Sequence, residues 1–244
     1  VNRVVLGKQT AVVMSFVALL ADGHILIEDL PGLGKTTLAH AIAATVGLDF
    51  QRVQFTSDLL PSDVVGVSVY DGGARRFEFH GGPVFTKVLL ADEINRAPPR
   101  TQSALLEAMA EHQVTVDGST WPLPEPFFCI ATQNPFGQIG TFPLPESQLD
   151  RFALTISLGL PDRDAEREIV TGAGGVDALP ALHAVTDPGE VAMAIKATAG
   201  THCDAKVIDY VLDLTDATRQ DPRLSQGASP RASTALVHLA RGHA

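Results

Sequence analysis

The stretch HILIEDLPGLGKTTLAHAIAATVG, residues 24 to 47, constrains the fold more than any other part of the chain. An aliphatic run gives way to a Gly-x-Gly turn and then to apolar positions at helical spacing, so strand, tight loop and helix follow one another in a single βα unit. Gly47 supplies a stop for that helix. Three more runs have the same short apolar character: FQRVQF at 50 to 55, VLLAD at 88 to 92 and FFCIAT at 127 to 132. Such strands suit a parallel sheet covered on both faces by crossover helices. RTQSALLEAMAEH (100 to 112) carries helical spacing behind Pro98 and Pro99, which can open a helix but not continue one. AVVMSFVALLA (11 to 21) is too short to cross a bilayer and meets Asp22 at once, which makes it a buried helix.

Two segments interrupt this α/β alternation. VSVYDGGARRFEF (67 to 79) and QVTVDGSTW (113 to 121) alternate around Asp71-Gly72 and Asp117-Gly118, the pattern of hairpins. After LGLPDRD (158 to 164) strand signals fade. Helical patterns follow in AEREIVTG, PGEVAMAIKATAG, AKVIDYVLDLTDATR and SPRASTALVHLARGHA, with Asp162 as an N-cap and Pro188 or Ser229-Pro230 as further starts. The expected organisation is an α/β domain over residues 1 to 159 and a small helical domain over 160 to 244, whose last helix runs off the end and whose lid is incomplete.

With 244 residues, 45% of them hydrophobic, the chain can bury a substantial core. Eighteen Lys and Arg stand against 28 Asp and Glu, a net charge of −10, which argues against nucleic acid and anionic membrane surfaces as partners. Two cysteines, Cys129 and Cys203, make no disulfide framework, and a reducing cytoplasm fits best. The histidines show no metal-ligand spacing, no nucleophile elbow is present, and G-x-G-x-x-G is missing after the first strand.

A phosphate loop works because glycines let backbone N–H groups turn onto phosphate oxygens, a lysine neutralises charge, and a hydroxyl holds Mg²⁺. Gly32, Gly34, Lys35 and Thr36 supply all of these. Asp29 stands at the loop's first position, where glycine is usual; there the chain leaves the strand, phosphate contact is weakest, and a non-glycine is tolerated. VLLADE then ends a strand in two acids, Asp92 to order Mg²⁺ and Glu93 to polarise an attacking water. Asn134 follows the third run and stands level with Glu93 if the two strands are neighbours, where its amide can orient that water.

DLPGLGKTTLA, LLADEINRAPPRTQSALLEAM, FCIATQNPFGQIGTFPLPESQLDRF and GASPRAS together resemble the MoxR family of AAA+ ATPases over nearly the whole chain. The resemblance implies a P-loop AAA+ fold, a three-layer αβα nucleotide domain with a small all-helical lid, and ATP with Mg²⁺ as cofactors. It puts Asp29, Leu30, Pro31, Gly32, Leu33, Gly34, Lys35, Thr36 and Thr37 in the nucleotide loop, and Val5 and Leu6 of VVLGKQ in the segment that recognises adenine. Thr36 and Asp92 become metal ligands, Glu93 and Asn134 catalytic residues, Arg151 the arginine finger and Arg231 the sensor that couples lid angle to nucleotide state. Arg151 follows the sheet's last strand region and is expected to complete a neighbouring subunit's site, with Arg96 a weaker interface candidate. The hairpins match this branch's helix-2 insert and pre-sensor-1 hairpin.

The expected activity is therefore ATP hydrolysis in a ring, by resemblance a hexamer, coupled to maturation or activation of client protein complexes, with von Willebrand A domain proteins as partners. Two rival classes stay open. A nucleic-acid motor would share the core and hairpins and use RRFEFH at 75 to 80; an ATP-gated assembly module would leave Glu93 idle.

Overall fold

The computed structural model describes residues 1 to 73, 75 to 135 and 140 to 244. Helix α1 (Gln9–Leu20) leads into strand β1 (Ile25–Glu28), the glycine loop and α2 (Lys35–Thr45), followed by β2 (Phe50–Gln54). Short α3 (Pro61–Val65) precedes a hairpin of β3 (Gly66–Asp71) and β4 (Arg76–Gly81), and β5 (Val88–Asp92) returns to the sheet. Helix α4 (Pro99–Glu111), the hairpin β6 (Gln113–Val116) and β7 (Ser119–Pro122), then β8 (Phe128–Gln133), α5 (Glu146–Leu149) and β9 (Leu154–Ile156) complete the α/β part. The remaining long elements are helical: α6 (Arg163–Val170), α7 (Pro188–Ala199), α8 (Ala205–Gln220) and α9 (Pro230–His243).

The main sheet has the order β2-β5-β8-β1-β9, and every pairing in it is parallel. All five strand C-termini therefore share one edge, where ligands of open α/β sheets bind. Successive side chains on a strand point to opposite faces, and the core divides accordingly. Ile25, Ile27, Leu90 and Ile130 pack toward α1 and α2, while Leu26, Leu89, Ala91 and Cys129 pack toward α4. This is a three-layer αβα fold. The run VLLAD is buried at every position because both faces are covered.

Strand β9 is a correction to the sequence reading, which ended the sheet before Arg151. LTI is only three residues, with its outer pair half-buried and Thr155 exposed at the sheet's edge, so it carries little apolar signal. Arg151 precedes this last strand rather than following it.

Both hairpins form. In the second, Asp117 and Gly118 have φ of 50° and 78°, the left-handed pair that a two-residue turn needs. The hairpins touch: Phe79 of β4 stacks on Trp121 of β7 at 4.7 Å and 12°. Asp162, Asp187, Asp204 and Ser229 cap α6 to α9 in turn through their side-chain oxygens.

Candidate functional site

The glycine loop lies between the end of β1 and the start of α2. Gly32 and Gly34 adopt φ of 83° and 88°, which a side chain disfavours, yet a Cβ at either would meet nothing within 4 Å. These glycines serve the backbone turn and leave open space above it. Gly34 caps α2 without any side-chain bond, so the helix presents its first N–H groups and positive dipole end to that space. The loop accordingly fits an anionic phosphate. Leu30 and Pro31 are exposed, Leu33 and Thr36 half-buried, and Thr37 is buried.

Lys35 is buried and donates from Nζ to the Asp29 carbonyl at 2.7 Å. Burial holds its ammonium below the ordinary lysine range, partly offset by attraction to Asp92, Asp29 and Glu93. The loop lysine and the acids at the end of β5 thus share one electrostatic neighbourhood.

Those acids are held by a network absent from the sequence reading. The Thr132 hydroxyl donates to Asp92 Oδ1 at 2.6 Å and accepts from the Glu93 N–H at 2.9 Å. Arg52 donates to Asp92 Oδ2 from Nη2 at 2.6 Å and from Nε at 3.2 Å. Glu93 sits in left-handed backbone, φ 56°, and its Oε2 accepts from Gln54 Nε2 and Arg96 Nη1, each at 2.8 Å. A non-glycine residue in that region is a strained conformation of the kind that clusters at functional sites. Arg96 here supports Glu93. Asn134 follows β8, which lies between β5 and β1, so it stands between the acids and the loop; its carbonyl accepts from Asn95 Nδ2 at 3.3 Å. Arg52, Gln54 and Thr132 were missed because only strand order brings them to Asp92 and Glu93. A polar residue ending an otherwise apolar strand was the one available signal.

Asp29 differs from its expected passive role. It is buried, and its carboxylate accepts from the Ser157 hydroxyl at 3.1 Å and from the backbone N–H groups of Leu158 and Gly159. The loop's first residue is tied to the strand beyond it, across the sheet edge.

Val5 is buried and Leu6 half-buried, in a segment that meets the turn after α6. Gly175 donates to the Val4 carbonyl at 2.9 Å, and a Cβ on Gly174 would come within 2.6 Å of Leu6.

The two remaining arginines lie elsewhere. Arg151 and Arg231 line one cavity with His24, Met109 and His112, at the N-terminal end of β1. Four residues of strand, roughly 13 Å at about 3.3 Å each, separate that end from the glycine loop. Arg151 donates to the Leu106 carbonyl at 2.7 Å, and Ser229, just before Arg231, donates to the Asp150 carboxylate at 2.7 Å. The segments that carry the two arginines are thus joined to each other at the end of β1 away from the glycine loop. At their back, buried His24 accepts from the Cys129 N–H and faces the Met109 carbonyl from Nε2, which fixes the neutral tautomer; burial pushes its pKa down to about 4.

The sequence profile of the family described as "ATPase family associated with various cellular activities (AAA)" matches residues 24–154. Among curated proteins, the uncharacterized protein YeaC of Bacillus subtilis is 44% identical over 244 residues, which cover 100% of this chain and 76% of that one. Chaperone MoxR1 of Mycobacterium tuberculosis is 40% identical over 250 residues, with 99% and 66% covered. A crystal structure from Cytophaga hutchinsonii, provisionally described as an ATPase, superposes with a TM-score of 0.87 at 37% identity, over 98% of this chain and 76% of the other. The chain therefore spans 66% to 76% of the length of these relatives.

Proposed function

The chain belongs to the MoxR family of AAA+ ATPases, and from that premise we propose that it hydrolyses Mg-ATP and uses the cycle to remodel client protein complexes. One observation carries this reading: adjacent strands β5, β8 and β1 bring Asp92, Glu93, Thr132 and Asn134 to the same sheet edge as the glycine loop and Lys35.

Bound there, Mg-ATP supplies the phosphoanhydride to be cleaved and a metal that withdraws charge from it. The backbone N–H groups of residues 32 to 36 hold the phosphates, and the Lys35 ammonium neutralises them. The Thr36 hydroxyl would hold the metal, and the Asp92 carboxylate, whose oxygens already accept from Thr132 and Arg52, would order it through water. Glu93 accepts the proton of the attacking water, and Asn134 orients that water. Gln54 and Arg96 keep the Glu93 carboxylate aimed. Val5 and Leu6 meet the base, beside the C-terminal helices that we read as the lid, with the division falling near residue 159.

Arg151 and Arg231 stand far from their own loop and close to each other, which supports a reading in which both complete a neighbour's site. Hydrolysis then requires a ring, which the family relation suggests is a hexamer. The joined hairpins expose Phe77 and Tyr70, 72% and 55% accessible, and we assign them the transfer of motion to a client. The printed name of MoxR1 supports a chaperone role; clients that carry or work with von Willebrand A domains, and a cytoplasmic setting, complete the proposal. No helix among the described residues is long and apolar enough to cross a membrane.

The test is ATP turnover beside nucleotide binding for the native chain and Glu93→Gln. The variant is expected to bind Mg-ATP with native affinity and to hydrolyse it roughly 10²- to 10⁴-fold more slowly, the range for a lost general base. Equal turnover by the two proteins would remove Glu93 from the chemistry.

A further inference from the structure

Asp29 joins two parts of the molecule that the proposed cycle must coordinate. Its main-chain carbonyl accepts from Lys35 Nζ at 2.7 Å, inside the phosphate loop. Its carboxylate accepts from Ser157 Oγ at 3.1 Å, from the Leu158 N–H and from the Gly159 N–H at 3.3 Å. Residues 157 to 162 are the connector between β9, which ends at Ile156, and α6, which begins at Arg163. One residue therefore grips the catalytic lysine with its backbone and the lid connector with its side chain.

Backbone geometry alone does not explain an aspartate there. Asp29 is not among the residues of positive φ, so its conformation suits any residue. What the side chain uniquely supplies is an acceptor for main-chain donors that would otherwise lack one. Leu158 is buried, and an unpaired buried N–H costs about 1–3 kcal/mol. Glycine at this position would leave both N–H groups without that acceptor. A further side-chain bond to the connector comes from Lys8, whose Nζ donates to the Leu160 carbonyl at 2.7 Å, and Lys8 belongs to the segment proposed to meet adenine. The connector is thus held from the phosphate end and the base end of the same proposed nucleotide site.

We propose that Asp29 is a positioning residue that transmits the state of the phosphate loop to the lid connector. The inference rests on the nucleotide reading above. When the Lys35 ammonium moves from the Asp29 carbonyl to a phosphate oxygen, the peptide at Asp29 loses its partner and shifts. The carboxylate, anchored to two consecutive N–H groups, carries that shift into residues 157 to 162 and so to α6.

Hydrogen exchange of the connector amides, with and without saturating Mg-ATPγS, tests this. Titration calorimetry verifies that the nucleotide is bound in each protein. In the native chain, nucleotide is expected to change exchange at residues 158 and 159 by at least about tenfold, the equivalent of one hydrogen bond. In Asp29→Gly with nucleotide bound, that nucleotide-dependent change is expected to vanish, whatever the basal exchange. A purely structural Asp29 would raise basal exchange and leave the nucleotide response in place, and that result overturns the inference. Ser157→Ala, outside the loop and missing one of three bonds, is expected to show a reduced response. Should Asp29→Gly not fold, Asp29→Ala serves: it removes all three side-chain contacts without adding glycine's backbone freedom, and a nucleotide response equal to the native one overturns the inference. A native chain that binds no nucleotide would instead defeat the nucleotide reading itself, and calorimetry reports that separately.

Discussion

At the scale of single residues, the groups proposed to act on phosphate could be found in the sequence, and the groups that hold them could not. Lys35, Thr36, Asp92 and Glu93 lie in local patterns whose chemistry follows from spacing. Thr132 reaches Asp92 and Glu93 across 40 and 39 positions of chain, and nothing in FFCIAT distinguishes its hydroxyl from a β-branched strand former. Removing that hydroxyl in Thr132→Val should leave Asp92 short of one donor and the Glu93 N–H unpaired. Stability is expected to fall by about 1–3 kcal/mol in urea unfolding, with a loss of turnover larger than any loss of nucleotide affinity. A variant with native turnover would make the Thr132 link ornamental. His24 sets a pH limit on the same scale. Its folded pKa of about 4 lies below the unfolded value near 6.5, so the unfolded chain takes up the proton first. Its stabilising contribution is complete above pH 6.5 and lost as pH falls toward 4. Between pH 7.5 and 5 the native chain should lose about 2 kcal/mol that His24→Asn does not lose. Asp22 and His112 are the charged neighbours that modify this value. Parallel pH dependence in the two proteins would place the acid sensitivity elsewhere.

At the scale of elements, four strands and both hairpins were legible because burial on two faces, or an Asp-Gly turn, leaves a signal in a few residues. Strand β9 left none: three residues at a sheet edge need neither alternation nor a continuous apolar run. Its omission misplaced Arg151 in the chain order. The packing of α9 on α1 was equally invisible, since it depends on which helix faces meet. There Gly242 of α9 approaches α1 so closely that a Cβ would lie 2.9 Å from the Val17 carbonyl and 3.6 Å from Ala21 Cβ. In an isolated helix, Gly→Ala gains roughly 1 kcal/mol. Against a fixed carbonyl the added methyl must displace the backbone, which typically costs about 1–3 kcal/mol, so the packing term wins. Gly242→Ala should therefore lower the thermal midpoint, and the shift should be largest for the C-terminal helices when followed by hydrogen exchange. A raised midpoint would show that α9 moves aside freely, and that the helices after β9 are loosely docked on α1.

At the scale of the whole molecule, sequence motifs name two arginines but are silent on which site they serve. Topology supplies the missing constraint, because Arg151 and Arg231 share a cavity at one end of β1 while the glycine loop lies beyond the other. The Asp150 to Ser229 hydrogen bond makes the two segments a single surface. Mixing of variants reads out that arrangement. Lys35→Ala offers intact arginines and no working loop; Arg151→Ala offers the reverse. If subunits mix at random in a ring, one interface in four joins an intact loop to an intact arginine, so about a quarter of native turnover should return. A mixture of Arg151→Ala with Arg231→Ala discriminates further. When both arginines serve the same neighbour's site, every interface in that mixture lacks one of them and turnover stays at the level of the separate variants. When Arg231 instead serves its own chain's nucleotide, an Arg151→Ala subunit flanked by an Arg231→Ala donor has a complete site and turnover recovers. Silence in the second mixture together with recovery in the first is the expected pair of results. Recovery in both would mean that the lid swings Arg231 across the length of β1 during the cycle, and the shared surface would be a resting contact rather than the working one.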